Sequence, residues 1–300
     1  MKELSDVPSY LWYHGCGPTA GGMILGYWDG HGFDRLIDGA NDWNTNRAAI
    51  EDMIASPGHI RDFVPTPDRE ATAGDPYHAD DCVADFVRCS RDPVGYGDSY
   101  DNIQWEGMVA YAAFRGYGGG TGAWAPTFGV LWNPLVVEID AGRPVELYVD
   151  ASGDGQPDHF VTAIGYDDTP GAPKYACHNT HSHTVQWYDF VPTAPGQPYG
   201  VRSGCVFELF HNGDANRDGQ VGLTDLAALA FHWGVLEQAT WEMGDFDADG
   251  AVGLSDLSDL AFNWQVSVTG SGAVPAPTVL AMLCVPAAAA FCRRTRRRAS

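Results

Sequence analysis

Apolar residues in the first half of the chain recur with the period of an α-helix. Ala20, Met23, Ile24 and Tyr27 stand at offsets of three, four and seven residues, which places them on one helix face. The same reasoning predicts helices over residues 17–29, 46–55, 79–89, 103–114 and 133–142. The glycines at 116–120 follow no strand pattern, and they are interpreted as a loop. This half of the chain is therefore predicted to be mainly helical.

From Val145 onward the pattern changes to short runs that are rich in β-branched and aromatic residues. These runs predict strands over residues 145–149, 159–166, 175–179, 184–190 and 205–210. The turn at 150–155 resembles a calcium loop, but its twelfth position is Val161 rather than an acid, so it is interpreted as a hairpin. Helices first and an antiparallel sheet after them predict an α+β fold.

The charge of the chain narrows its partners. The 300 residues include 39 Asp and Glu but only 17 Lys and Arg, which gives a formal net charge of −22. Arginines in the last eight residues account for part of the basic total, so the rest of the chain is still more acidic. Such a surface repels nucleic acid, and we expect no partner of that class. It suits a secreted protein that binds Ca²⁺, although most of these acids are interpreted as solvated surface.

Cys16 is the first candidate for chemistry, because it stands between two glycines directly before the predicted helix at 17–29. Helix N-termini stabilise anions, and a thiol there is shifted toward the reactive thiolate. His159 begins a predicted strand, and Asn179 ends the next one. A cysteine nucleophile, a histidine base and an asparagine that orients the imidazole form a thiol triad. The alternative is a small buried cysteine whose flanking glycines only serve a turn.

These stretches resemble papain-like cysteine peptidases, in particular the branch that includes the double-glycine leader peptidases of bacteriocin exporters. The motifs that carry the resemblance are Gly15-Cys16-Gly17-Pro18-Thr19, His159-Phe160-Val161, Gly165-Tyr166-Asp167 and Asn179-Thr180. It implies a two-lobed papain-like domain over residues 1–210, in which a helical lobe and an antiparallel sheet enclose a cleft. It also implies a peptidase that hydrolyses peptide or protein substrates with Cys16, His159 and Asn179.

One residue of the papain-like pattern is missing. These enzymes place a Gln several residues before the cysteine as a side-chain donor to the oxyanion, whereas the first Gln here is Gln104. Tyr10, Trp12 and His14 occupy that region instead, and a Trp or His N–H can donate such a hydrogen bond. Two classes of function therefore stay open: an active peptidase, and an inactive papain-like domain that acts as a binding or scaffold protein.

A repeated loop follows the predicted sheet. Residues 213–225 recur 31 positions later as residues 244–256, with oxygen ligands at loop positions 1, 3, 5 and 12 and a glycine at position 6. This is the pattern of an EF-hand type calcium loop, in which position 7 supplies its main-chain carbonyl. The predicted ligands are Asp214, Asn216, Asp218, Gln220 and Asp225 in the first loop, and Asp245, Asp247, Asp249, Ala251 and Asp256 in the second. Two Ca²⁺ ions are predicted for residues 211–265.

Each loop leads into a short helical pattern, no helix precedes it, and its last ligand is Asp rather than Glu. That combination resembles type I dockerin modules, so residues 211–265 are predicted to be a small all-α calcium-binding domain. The resemblance implies a cohesin-type domain as partner, read by loop positions 10 and 11. Those pairs are Leu223-Thr224 and Leu254-Ser255.

The two ends of the chain bear on its location. Residues 266–300 combine a linker, the motif Val274-Pro275-Ala276-Pro277, an apolar run and an arginine cluster, an order that resembles a PEP-CTERM sorting signal. The run predicts a C-terminal hydrophobic helix that anchors the chain in a membrane, at least transiently; a plain anchor is the alternative. The first residues lack the apolar core of a signal peptide, and we interpret this as a mis-assigned start. The protein is accordingly expected to be secreted or at the cell surface.

Other cysteines and histidines leave alternatives open. The cysteines between Cys16 and the tail are interpreted as packed thiols: Cys82, Cys89, Cys177 and Cys205. A bridge between the last two stays open, because both lie on predicted strands. The histidines around Asn179 are interpreted as cleft polarity rather than as a metal site: His178, His181 and His183.

Overall fold

The computed structural model describes residues 1–62, 81–90 and 95–264. Its helices and strands, in chain order, are β1 (Lys2–Glu3), α1 (Cys16–Asp29), α2 (Trp43–Ile54), α3 (Pro57–Asp62), α4 (Val83–Phe86), α5 (Gln104–Phe114), β2 (Gly119–Ala125), α6 (Trp132–Asp140), β3 (Val145–Asp150), β4 (His159–Asp167), β5 (Lys174–His178), β6 (Gln186–Asp189), β7 (Gly200–Phe210), α7 (Leu223–Phe231) and α8 (Leu254–Phe262). The prediction of an α+β fold with an antiparallel sheet is confirmed. The predicted C-terminal helix lies outside the described residues.

One antiparallel sheet forms the centre of the first 210 residues. Its strands follow the order β2-β7-β3-β4-β5-β6, and the short β1 pairs with the far end of β4. β3 and β4 form a hairpin in which Val149 lies opposite His159. β5 runs along the other side of β4, with His178 opposite Thr162. The start of β4 and the end of β5 therefore lie at the same end of the sheet.

The α1 helix packs against this sheet with all of its residues buried. Met23 and Ile24 belong to the main apolar core, together with Val161 of β4. The hydroxyl of Thr162 donates a hydrogen bond to the carbonyl of Ala20 at 2.9 Å, which joins β4 directly to α1. The N-terminus of α1 therefore lies at the end of the sheet where β4 begins.

Two helices differ from their predicted limits. α2 begins before the predicted residue 46, because the Asp42 side chain accepts a main-chain N–H of the first turn and caps the helix. The helix expected over 79–89 is shortened to α4 within the described residues. The chain leaves helical geometry soon after α4, since Arg88 and Ser90 both take positive φ angles.

The glycine cluster predicted as a loop is partly a strand. Gly119 begins β2, which pairs with β7 over its whole length. A Cβ at Gly119 would stand 2.2 Å from the carbonyl oxygen of Phe210, and one at Gly122 would stand 2.5 Å from that of Val206. The strand therefore needs glycine for close approach to its neighbour, and this composition removes the apolar alternation by which strands are predicted.

The hairpin between β3 and β4 is closed by acidic side chains. The Asp150 carboxylate accepts the main-chain N–H groups of Gly153, Asp154 and Gly155. Asp158 accepts the N–H of Ala151 at 2.7 Å across the loop. The interpretation of this turn as a hairpin is confirmed. His159 follows immediately, so a heavily hydrogen-bonded loop leads into it.

The repeat module, residues 211–264, has an apolar cluster of its own. Its buried members are Ala215, Val221, Leu229, Phe246, Val252 and Leu260. A hydrogen bond from the main-chain N–H of Gly118 to the Asn212 side chain connects the module to the chain before β2. The ring of Trp241 also packs against Gly119, since a Cβ added to Gly119 would stand 2.8 Å from it.

The described cysteines are buried free thiols, so the packed-thiol interpretation is confirmed over a bridge between Cys177 and Cys205. Cys205 instead donates its S–H to the Glu146 carboxylate at 3.3 Å. Within residues 1–62, 81–90 and 95–264, no helix combines the length and the apolar character that a membrane span needs.

Candidate active site

Cys16 is the first residue of α1 and is 8% exposed. Its side chain packs with Ala20 and Phe160, and the main-chain N–H groups of Phe160 and Gly17 point at the sulfur. Burial nevertheless dominates and raises the pKa of the thiol to about 12, with a further contribution from the nearby Cys89. Burial therefore opposes the shift toward thiolate that the helix N-terminus alone would give.

The glycines around Cys16 serve the protein's own packing. A Cβ at Gly15 would stand 2.5 Å from the sulfur of Cys89. A Cβ at Gly17 would stand 2.3 Å from the hydroxyl of Ser99 and within 3.2 Å of the carboxamide of Gln104. Residues after α4 and at the start of α5 are in close contact with the two glycines that flank Cys16. The immediate neighbours of both glycines are therefore side chains of the same molecule.

His159 is the first residue of β4, and the next residue, Phe160, packs against Cys16. Its Nε2 lies 2.9 Å from the main-chain carbonyl oxygen of Asn179 and 3.2 Å from the hydroxyl of Thr180. A carbonyl oxygen can only accept a hydrogen bond, so Nε2 carries the proton and Nδ1 of the neutral ring has the free lone pair. The His181 ring stacks on the imidazole at 4.5 Å.

The electrostatic surroundings keep the imidazole neutral. Burial is the largest cause and lowers the pKa of His159 below its usual 6.5, and the neighbouring His181 lowers it further. The hydrogen bond to the Asn179 carbonyl acts in the opposite direction but is weaker. A neutral imidazole is the form that can accept a proton from a thiol.

Asn179, predicted to orient the imidazole, contacts the base through its main chain. Its carbonyl oxygen lies beside Nε2 of His159, and its side chain makes other bonds. The side-chain oxygen accepts the N–H of His181 at 3.1 Å, and the side-chain amide donates to the hydroxyl of Tyr188 at 3.4 Å. The side chain thus shapes the turn that presents the carbonyl. Thr180, which sequence reasoning missed as a site residue, adds its hydroxyl beside Nε2 and has a positive φ of 64°.

The segment before Cys16 is hydrogen-bonded to the turn after β5, which also contacts His159. The N–H of Trp12 donates to the carbonyl of Thr180 at 2.7 Å. Thr19 of α1 folds back on the same segment, because its hydroxyl accepts the N–H of Tyr13 and donates to the carbonyl of Gly15. These bonds fix the nucleophile relative to the turn after β5.

The residues that replace the missing Gln take different positions. Tyr10 is fully buried, donates to the carbonyl of Asn41 and packs on Gly26, well along α1 from its N-terminus. His14 has a positive φ of 52°, and its Nδ1 lies 2.6 Å from the hydroxyl of Tyr96. Trp12 is 42% exposed beside them. Of the three, Trp12 and His14 remain in the segment adjoining Cys16.

The first repeated loop surrounds its acids with main-chain N–H groups. Asp214 accepts from Gly219 at 2.9 Å and from Asp218 at 3.1 Å, and Asp225 accepts from Gly222 at 2.9 Å. Asn216 lies in the same loop, with its amide 3.0 Å from Asp218. Burial, and then the neighbouring Asp225 and Asp218, raise the pKa of Asp214 to about 7.

The second loop repeats this arrangement. Asp245 accepts from Gly250 at 3.0 Å, and Asp256 accepts from Phe246 and Gly253. Carboxylate oxygens of Asp245, Asp247 and Asp249 lie within 4.8 Å of one another. One oxygen of Asp245 is buried and has no hydrogen-bond partner. An orphaned buried oxygen in a set of close carboxylates fits a hard cation such as Ca²⁺. Gln220 and Ala251 stand at position 7 of their loops, where only the carbonyl is needed.

The other histidines near Asn179 make separate contacts. Nε2 of His178 lies 3.2 Å from the carbonyl of Val7, and Nδ1 of His183 lies 3.1 Å from that of Ser9. His181 stacks on His159, as described above. These side chains do not point at a common centre, in keeping with their interpretation as cleft polarity.

A buried cysteine at a helix N-terminus, packed against the strand that a histidine begins, is the arrangement of a papain-like cysteine peptidase. The comparison with known families agrees. Residues 4–192 match the model of the Peptidase_C39 like family, and the chain belongs to this family of cysteine peptidases. The match ends before the repeat module. Among curated proteins none matches the chain.

Proposed function

We propose that this chain is an active thiol peptidase in which Cys16 attacks the carbonyl carbon of a peptide bond and His159 is the base. One observation carries the proposal. The proton on Nε2 is held by the Asn179 carbonyl, which leaves Nδ1 unprotonated on a residue whose neighbour in β4, Phe160, packs against Cys16. The base is therefore prepared in the tautomer that can accept a proton through Nδ1.

The reaction begins from a neutral pair. Nδ1 of His159 takes the thiol proton as the Cys16 sulfur forms a bond to the carbonyl carbon, and the carbonyl oxygen becomes an oxyanion. The main-chain N–H of Cys16 at the helix N-terminus stabilises that charge. His159 then gives its proton to the leaving amine. Water, deprotonated by the same imidazole, hydrolyses the thioester and restores the thiol.

Substitution of the nucleophile tests this function. Purified Cys16→Ala is expected to lose hydrolysis of casein or of a peptide library, because no other group supplies the sulfur. Cys177→Ala is the matched control, since it removes a buried thiol on β5 that lies outside the site. Full hydrolysis by Cys16→Ala would exclude the mechanism.

One observation favours the second candidate, a binding or scaffold protein with an inactive papain-like domain. Cys16 is almost fully buried and its pKa is raised to about 12, so the resting thiol is a weak nucleophile. Labelling with an iodoacetamide probe separates the candidates. A peptidase is expected to label at Cys16 and to be inhibited, whereas neither labelling nor hydrolysis is expected of the inactive candidate.

We further propose that the repeat module binds two Ca²⁺ ions. The orphaned oxygen of Asp245 and the close carboxylates of Asp245, Asp247 and Asp249 in the second loop support this. Oxygen ligands at positions 1, 3, 5 and 12 would hold each ion, and position 7 would add a carbonyl. The ions would supply the positive charge that lets the acids stay ionised side by side.

On this proposal the module is a dockerin-like tether that attaches the peptidase to a cohesin-type domain. Leu223 and Leu254, which begin the two helices, are each 76% exposed, and this supports a role in contact with a partner. We also propose that the chain is exported and held at the cell surface by residues 266–300. Cell fractionation tests this part, since a full-length soluble form in the cytoplasm would contradict it.

A further inference from the structure

A second group of metal-binding side chains lies outside the candidate active site, between α3 and α4. His59 belongs to α3, Cys82 directly precedes α4, and Asp85 lies on α4. One donor atom from each lies within 4.8 Å of the other two, and all three side chains are buried. Two separate stretches of chain thus contribute an imidazole, a thiol and a carboxylate to one point.

The contacts within this group are short and specific. Nδ1 of His59 lies 2.6 Å from Oδ1 of Asp85. Cys82 donates its S–H to Oδ2 of Asp85 at 3.1 Å and its main-chain N–H to the same oxygen at 2.8 Å. The N–H of His59 donates to the hydroxyl of Ser56 at 3.1 Å, which fixes the histidine's main chain. The donor atoms are therefore already gathered, and their supporting bonds come from both segments.

We propose that this group binds a zinc-type divalent ion through His59 Nδ1, Cys82 Sγ and a carboxylate oxygen of Asp85. Imidazole, thiolate and carboxylate together are the ligands that Zn²⁺ prefers, whereas Ca²⁺ takes oxygen ligands. When the ion binds, the Cys82 thiol releases its proton to solvent. The metal–ligand bonds then replace the hydrogen bonds that now run to Asp85.

The position of the site gives the ion a structural role next to Cys16. The chain continues from α4 to Cys89. The sulfur of Cys89 lies in close contact with Gly15, the residue before the nucleophile. Cys89 also donates its S–H to the carbonyl of His14 at 3.5 Å. An ion at the start of α4 would hold this stretch against the loop that carries Cys16. Without metal, the hydrogen bonds described above join the same three side chains, and an experiment separates the two states.

Cobalt(II) is the probe, because thiolate bound to cobalt gives a charge-transfer absorption that oxygen ligands do not. The full chain is stripped with chelator, saturated with Ca²⁺ to fill the repeated loops, and titrated with Co²⁺. We expect one cobalt per chain in native mass spectrometry, together with the thiolate absorption. Absence of this absorption in the wild-type protein would overturn the proposal, whatever happens in the variants.

Four variants locate the site. Cys82→Ser is expected to remove the absorption, whereas Cys177→Ser, the change of another fully buried thiol, is expected to leave it. Cys16→Ser should also retain it, which distinguishes this site from the nucleophile. His59→Gln keeps every cysteine and is expected to weaken cobalt binding at least tenfold, so it serves if Cys82→Ser does not fold. An unchanged absorption and affinity in both Cys82→Ser and His59→Gln would refute the assignment.

Discussion

The candidate active site and the two repeated loops both bury ionisable side chains. Burying a charge is unfavourable, and the two regions differ in how that charge is neutralised. Around Cys16, burial keeps the groups neutral, since the pKa of the thiol is raised to about 12 and that of His159 is lowered. In the loops, acids stand beside acids. The pKa of Asp245 is raised by burial and by three neighbouring carboxylates, so neutrality there is reached only by taking up protons or a cation.

The difference lies in what surrounds each site. The nucleophile and base rest on the main core, where α1 and β4 pack together and an uncharged hydrogen bond joins Thr162 to Ala20. The loops rest on the small core of the repeat module, which contains six buried apolar residues. A core of that size leaves a module of this length marginal without further help. We therefore expect packing to hold the first site and an ion to hold the second.

The largest expected effect is on catalysis at the first site. His159→Gln keeps a group of similar size but removes the base, and we expect kcat to fall about 10²–10⁴-fold with little change in KM. Steady-state kinetics on a peptide substrate measure this. The double variant with Cys16→Ala should lose no more than Cys16→Ala alone, because the two residues act as a unit. Equal kcat values for His159→Gln and wild type would show that burial holds His159 for structure only.

The second effect concerns calcium. Removing Ca²⁺ from the full chain is expected to unfold the repeat module and to leave the unfolding of the peptidase domain unchanged. An ion present at a hundred times its dissociation constant contributes about 2.7 kcal/mol to the free energy of unfolding. Calorimetry with Ca²⁺ and with chelator measures the two transitions.

Paired substitutions make the calcium prediction specific. Asp214→Ala with Asp245→Ala should reproduce the effect of the chelator in the presence of Ca²⁺. Glu237→Ala, which removes an exposed acid of the module outside the loops, should not. The same module transition with and without chelator would mean that the small core suffices.

A third buried acid allows a direct test of the comparison. Glu146 is in the main core, and burial raises its pKa to about 8. The native state therefore holds this proton more tightly than the unfolded chain, so stability falls as the pH rises from about 4.5 to about 8, by up to roughly 1.4 kcal/mol per pH unit. Glu146→Gln should match the wild type near pH 5 and melt at a higher temperature at pH 8. Parallel melting curves at both pH values would contradict this.

The smallest effect is a shift in a pH profile. Because the pKa of His159 is lowered below 6.5, the imidazole stays unprotonated, and able to act as a base, into mildly acidic solution. The acid limb of kcat/KM is therefore expected to have its midpoint below pH 6.5. Thr180→Val removes a hydroxyl from beside Nε2 and should move this midpoint while leaving the fold intact. A wild-type midpoint above 6.5 would show that substrate binding or a nearby acid overrides burial.

What could be predicted from the sequence depended on distance along the chain. The repeated loops gather their proposed ligands within twelve residues, so spacing alone indicated each position, and α1 followed from the spacing of Ala20 and Met23. The class of fold could be predicted because helical and strand patterns occupy different halves. These inferences use only local periodicity.

The other features depend on which atom of a residue is used and on contacts between distant segments. The choice of the Asn179 carbonyl over its side chain is decided by the turn after β5, where Thr180 takes a positive φ. The contact between Cys89 and Gly15 joins two segments that are far apart in sequence, and no periodic pattern predicts it. The strand β2 was missed because glycine there meets the neighbouring main chain, and glycine has no apolar side chain to reveal a strand.

The hairpin closed by Asp150 and Asp158 has a consequence for the order in which the molecule folds. Its hydrogen bonds join residues close in sequence, and so does the neighbouring pairing of β4 with β5. The bond from Thr162 to Ala20 spans 142 residues. Local contacts form at lower entropic cost than distant ones. The half of the site with the imidazole can thus assemble early, before the long-range contact that joins β4 to α1 and brings Cys16 to it.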